Sequence, residues 1–142
     1  MIASQSQFQD SIRPGSVQES LLIFADGFYS MNWTGGSEPS PFNEQRFNPT
    51  EAERADRYRR LLVNAGRYEI ADGILRTEPD FALVPEYVNG YGEFEYSLVG
   101  DTLRLTWTDI VSVDGIPDPT TEAGVRFQYT LVRAPFVPPT PK

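Results

Sequence analysis

Residues 65–78 read AGRYEIADGILRTE. The Asp72-Gly73 pair predicts a two-residue β-hairpin, because a type I′ turn needs positive φ at both central residues. Such a turn sets Ala71 opposite Ile74, Ile70 opposite Leu75, Glu69 opposite Arg76 and Arg67 opposite Glu78. Two outward pairs are then opposite in charge, each worth about 0.2–1 kcal/mol. A slip of one residue brings neither pair into register. The other face carries Tyr68, Ile70, Leu75 and Thr77.

The same pattern extends in both directions. Upstream, SLLIF, Ala25-Asp26-Gly27 and FYSMNW form a second hairpin, with Phe24 opposite Tyr29 and Leu22 opposite Met31. Downstream, EFEYSLV, Gly100-Asp101 and TLRLTWT form a third. The stretch AGVRFQYTLVRA reads as a long final strand with Val125, Phe127, Tyr129 and Leu131 on one face. Between the first two hairpins, residues 34–49 read as a loop rich in Gly, Pro, Ser and Asn. Thr50-Glu51-Ala52-Glu53 then forms a capping box, which predicts one short helix over about residues 50–63. Residues 79–92 read as a loop or a short irregular strand packed inward, and 111–121 as a loop with two prolines. Antiparallel strands in this order form a mainly β meander of about 7–8 strands, which most economically closes into a barrel and so removes its edges. A two-sheet sandwich is the alternative. Residues 1–19 read as a polar arm or weak first strand, 20–133 as the barrel domain and 134–142 as a Pro-rich tail.

Composition narrows the chemistry. The 142 residues contain no His and no Cys, and the one lysine is Lys142. Imidazole bases, thiolates and lysine Schiff bases are therefore excluded or remote. The net charge of −8 opposes phosphate backbones and anionic membranes, so no nucleic-acid or membrane partner is expected. No apolar run reaches the ~18 residues of a membrane span. The N-terminus lacks a basic and apolar leader pattern, which makes the cytoplasm the expected location. The acids Asp109, Asp114, Asp118 and Glu122, and Glu78, Asp80 and Glu86, lack the spacing of a calcium loop. They read as solvated loop residues, and no metal, cofactor or catalytic residue is assigned. Arg104, Arg126, Glu93 and Glu95 read as an outer charged face.

Tyr29, Met31, Trp33, Tyr68, Phe94, Tyr96, Trp107, Phe127 and Tyr129 fall on the alternating apolar faces. They are candidate walls of a ligand cavity. The same residues would equally serve a filled core, since an eight-stranded barrel is just wide enough for its own side chains.

The order of motifs resembles the bacterial and fungal lipocalin-like domain family of the calycin superfamily. The carrying segments are Leu22–Met31, Gly66–Ile70 and Gly100–Leu105, and the likeness covers roughly residues 18–133. The family's first strand carries a Gly-x-Trp signature, but here no Trp precedes Trp33. That strand is therefore expected to be reduced to something like Ile2–Phe8 or absent, with a homodimer covering the open edge. The resemblance implies a small calyx for a hydrophobic or aromatic molecule and no named reaction. Two other functions stay open: an isomerase or cyclase using Asp, Glu or Tyr groups, and a structural protein with a filled core.

Overall fold

The computed structural model describes residues 2–4, 6–8, 18–34 and 47–134, with side chains from residue 20 onward. Its core architecture is a meander of seven strands: β3 (Gln18–Ala25), β4 (Phe28–Thr34), β5 (Leu61–Ala71), β6 (Ile74–Ala82), β7 (Tyr91–Val99), β8 (Thr102–Val111) and β9 (Phe127–Val132). Each is antiparallel to the next. Two short N-terminal strands, β1 (Ile2–Ser4) and β2 (Ser6–Phe8), complete the sheet. β1 pairs with β3 through Ile2–Leu21 and Ser4–Gln18, and with β9 through Ile2–Val132. β2 pairs with β9 through Ser6–Tyr129, Gln7–Gln128 and Phe8–Phe127. The ladder therefore returns from β9 to β3 through β1, with β2 paired to β9 beside it. The reduced first strand is present, in two pieces, and the edge that motivated a dimer is paired within the chain.

Both hairpins for which partners were expected have the expected register, and the third turns at Gly100-Asp101 with Val99 opposite Thr102. Ala71–Ile74, Ile70–Leu75, Glu69–Arg76 and Arg67–Glu78 are Cα partners, as are Phe24–Tyr29 and Leu22–Met31. Asp26 and Gly27 adopt φ of 49° and 82°, and Asp72 and Gly73 of 52° and 80°. The ion pairs differ from the register. Arg76 reaches Glu93 on β7 (3.3 Å) and Glu78 (3.6 Å), while Arg67 reaches Asp80 (3.5 Å). Long side chains on an outer face choose among several acids, and the third strand supplies one that the hairpin alone does not contain.

Other boundaries shift for identifiable reasons. The helix α1 is Glu51–Arg60 and begins at the expected cap: the Thr50 amide donates to Glu53 Oε2 (2.8 Å), and the Glu53 amide donates to the Thr50 hydroxyl (3.3 Å). It ends before residue 63, because Leu61, Leu62 and Val63 pair with Thr34, Trp33 and Asn32. β6 runs on through Pro79 to Ala82, where a loop or a short irregular strand was expected. The shift from Ala65–Phe81 to Gly66–Pro79 leaves Asp80 as a bulge. The final strand begins at Phe127 rather than near 123, and the 111–121 loop carries a helical turn, α2 (Pro119–Glu122), capped by Asp118. Residues 35–46 of the expected loop, and the tail from 135, lie outside the described residues. No described helix is long and apolar enough to cross a membrane.

Gly66 permits the close approach of β5 to β6 at the bulge. A Cβ there would collide with the Glu78 carbonyl and lie 2.8 Å from Pro79 Cα, both backbone atoms that cannot swing aside. Gly66→Ala is expected to cost about 1–3 kcal/mol, the range for forced backbone shifts in packed structure. Urea unfolding checks this, and a loss under about 0.5 kcal/mol, the level of an ordinary surface change, would refute it.

Candidate functional site

β4 alternates buried and less buried residues and sends Tyr29, Met31 and Trp33 inward. β7 contributes Phe94, β8 contributes Leu103, Leu105 and Trp107, and β9 contributes Tyr129 and Leu131. The Trp33 ring stacks on Tyr129 (centroids 3.8 Å) and meets Trp107 edge-on (6.1 Å). Trp107 in turn stacks on Phe94 (5.1 Å). Six of the nine candidate residues, Tyr29, Met31, Trp33, Phe94, Trp107 and Tyr129, thus sit together in one buried cluster. Phe127 and Tyr68 pack against its margin half-buried. Tyr96 is 37% exposed.

The cluster leaves little room. The void beside Met31, Asn64, Thr77, Phe94 and Trp107 measures about 10 Å³, the space of a single water at most. Among the described residues this cluster is packed by its own side chains, as the width of a small barrel permits.

A larger opening lies at the barrel end that carries the three tight hairpins. Phe24, Tyr68, Ile70, Leu75, Tyr96, Leu98 and Leu103 line a pocket of about 200 Å³ there. Tyr68 rests edge-on against Phe24 (4.8 Å). Leu75 and Leu103 belong to both the pocket and the buried cluster, so they form its floor. Ile70 and Leu98 are 55% and 54% exposed and form its rim. Of the nine candidates, the structure brings Tyr68 and Tyr96 to this mouth. Phe24, Ile70, Leu75, Leu98 and Leu103 were not among the candidates, although they share the alternating faces of Tyr29's hairpin partner strand and of Tyr68, Phe94 and Tyr96. Choosing aromatic residues over aliphatic ones hid the four aliphatic residues, while Phe24 was left out although it is aromatic.

Ile110 was missed for another reason. Phe94 pairs with Trp107, but Glu93 pairs with Asp109, so Thr108 is a bulge. Alternation continued from Trp107 would point Asp109 inward; the bulge buries Ile110 instead. The bulge is held by the Thr108 hydroxyl, which donates to the Glu93 carbonyl (3.1 Å), and by the Ile110 amide, which donates to Asp109 Oδ1 (2.9 Å). Arg126 is tied locally, donating to the carbonyls of Thr121 (3.1 Å) and Val125 (3.2 Å).

No carboxylate lines the void or the mouth, and among the described residues no cluster of three acids could hold a metal ion. The buried titratable groups of the cluster are phenols. The Tyr29 hydroxyl and the Trp33 and Trp107 indole nitrogens are buried without an acceptor among the described residues. The Thr77 hydroxyl lies near Tyr29 but gives its proton to the Gly92 carbonyl (3.3 Å), and the two side chains do not meet at hydrogen-bond geometry.

Burial, ahead of any charge, holds the Tyr29 and Tyr129 phenols well above the ordinary tyrosine value. In the unfolded chain both ionise near pH 10. In the folded chain both keep their protons there, so the folded state binds more protons and loses stability as pH rises. The contribution is complete below about pH 10 and falls above it by about 1.4 kcal/mol per pH unit for each tyrosine. Unfolding midpoints measured from about pH 8 to 11 should show this fall, and Tyr29→Phe with Tyr129→Phe should flatten it. An equally steep fall in the double variant would assign the effect elsewhere.

Comparison with known protein families gives a match. A model of the lipocalin-like domain matches residues 15–124, well over half the chain. No protein of curated function and no solved structure matches. The meander, its capped helix and its filled aromatic interior accordingly belong to a member of the lipocalin-like domain family.

Proposed function

We propose that the chain is a binding module for a small, neutral hydrophobic or aromatic molecule. Its place is the hairpin-end mouth, with Tyr68 and Tyr96 as walls. Tyr29, Met31, Trp33, Phe94, Trp107 and Tyr129 form the packed cluster beneath, and Phe127 buttresses it. The observation that carries this reading is the mouth itself: about 200 Å³ bounded by apolar and aromatic side chains, with Ile70 and Leu98 left exposed on strand faces that elsewhere build the core. Exposed apolar residues gathered round a concavity mark binding surfaces more often than isolated ones do. The volume suits one or two rings, since an apolar cavity of ~150 Å³ binds benzene. Membership of a lipocalin-like family is compatible with such a ligand.

Charge limits the ligand further. Among the described residues no cation lines the mouth, so a buried carboxylate there would lack a partner and a neutral ligand is favoured. The isomerase or cyclase alternative needs an acid or base beside the substrate, and the mouth offers only two phenols. The packed interior alone would serve a protein without a ligand equally well. The exposed mouth is what favours binding.

2-Naphthol, neutral at pH 7, serves as a probe. At a hundredfold excess over Kd it should stabilise the fold by about 2.7 kcal/mol. Ile70→Gln with Leu98→Gln should weaken binding at least tenfold, while each costs no more than about 0.5 kcal/mol, the usual level for exposed positions. No stabilisation by the probe, or an unchanged affinity in the double variant, would overturn the reading.

A further inference from the structure

The opposite end of the barrel carries a second concavity of different chemistry. The 3₁₀ turn Pro85–Tyr87 and the loop 112–119 enclose a groove of about 680 Å³. Its surface is mainly apolar, and Val113 and Ile116 on its wall are 67% and 61% exposed. The charged residues that line it are Glu86, Asp114 and Asp118, and no arginine lines it.

Both walls are preformed. In the loop, the Ser112 amide donates to the Ile116 carbonyl (2.9 Å), the Gly115 amide to the Ser112 carbonyl (3.0 Å) and the Asp118 amide to the Ile110 carbonyl (2.8 Å). In the turn, the Tyr87 amide donates to the Val84 carbonyl and the Gly90 amide to the Tyr87 carbonyl, both at 3.1 Å. Gly90 joins the two walls: a Cβ there would strike the Val111 carbonyl and lie 3.1 Å from Ser112 Cα. A groove held on both sides loses little entropy when it binds.

We propose that this groove binds a small organic cation, an alkyl- or arylammonium whose hydrocarbon lies on Val113, Ile116 and Tyr87 and whose N–H groups face Glu86, Asp114 and Asp118. An apolar wall removes hydrocarbon from water, and three carboxylates with no cation beside them among the described lining residues favour an ammonium over an alcohol or a carboxylate. One oxygen of Asp118 caps α2, accepting from the amides of Thr120 (2.8 Å) and Thr121 (3.4 Å); its second oxygen is not used by that cap. The Tyr87 ring adds a face that attracts cations. Burial first, then the charges of Asp118 and Glu86, raise the Tyr87 phenol, so both acids act on the groove at that ring.

The test compares 2-phenylethylammonium, 2-phenylethanol and phenylacetate by amide chemical shifts on the full chain. The ammonium is expected to move the amides of Gly90, Val113 and Gly115, with a Kd at least tenfold below that of the alcohol. The preference should shrink at ~1 M salt, where screening acts within about 3 Å. Glu86→Gln with Asp114→Asn, both at positions that keep their hydrogen-bonding shape, should raise the ammonium Kd to that of the alcohol while leaving the unfolding midpoint in place. Equal affinity for alcohol and ammonium, preference for phenylacetate, or an unchanged Kd in the double variant would overturn the proposal. So would shifts confined to Tyr68, Tyr96 and Leu98, which place the probe in the hairpin-end mouth. A dimer that Ile116→Glu dissociates would assign the groove to a second copy and overturn it as well. Binding of 2-naphthol at the mouth is read from separate amides, so either site can fail alone.

Discussion

The stack of Trp33 on Tyr129, with Trp107 edge-on to Trp33 and stacked on Phe94, is the contact around which the rest of the barrel closes. It joins β4 to β9 across the interior, two strands that the meander separates by four others. Large rings bury much apolar surface and interlock with directional preference. Four of them at one level therefore constrain barrel diameter as well as stability. Phe94 is fully buried, and Leu22, Met31, Leu105 and Leu131 fill the space around the rings. Around these side chains the void measures about 10 Å³, and the larger concavities described lie at the two ends of the barrel.

The two ends differ because their connections differ. Two-residue turns at Asp26-Gly27, Asp72-Gly73 and Gly100-Asp101 add almost no chain to cover the strand ends beneath them. Core-facing positions there emerge as Ile70, Tyr96 and Leu98, partly wet and uncharged. At the other end the connections are longer and carry acids, including Glu86, Asp114 and Asp118. Turn length thus sorts the surface into an apolar mouth and an acidic groove.

What could be read from residues alone was what local chemistry decides. An Asp-Gly turn fixes register within its own hairpin, so the Cα partners around residues 72–73 and 26–27 were accessible in advance. The Thr50 cap was accessible for the same reason. The rest depended on residues far away in the chain. The helix gave way at Leu61 because β4 supplies a partner strand from Met31 to Thr34. Arg76 turned to Glu93 because β7 lies beside β6. The bulge at Thr108 inverted the faces beyond Trp107, and alternation carries no signal of where a bulge falls. The candidate site shared this limit: the inward face was legible, but whether inward rings meet each other or surround a space depends on barrel diameter.

The absence of His and Cys bears on this last point. It left carboxylates, phenols and arginines as the available polar groups, and the fold separates them by place. The buried titratable groups of the aromatic cluster are the phenols Tyr29 and Tyr129, which burial keeps protonated far into the alkaline range. None of the described carboxylates is buried, and several sit on outer faces or loops. At the hairpin end the acids Asp26, Asp72 and Asp101 sit in the turns, and the lining of the mouth is apolar and phenolic. At the other end Glu86, Asp114 and Asp118 stand beside the apolar wall itself. A charge placed against the first lining would lose its hydration without a partner, whereas a cation at the second would meet carboxylates.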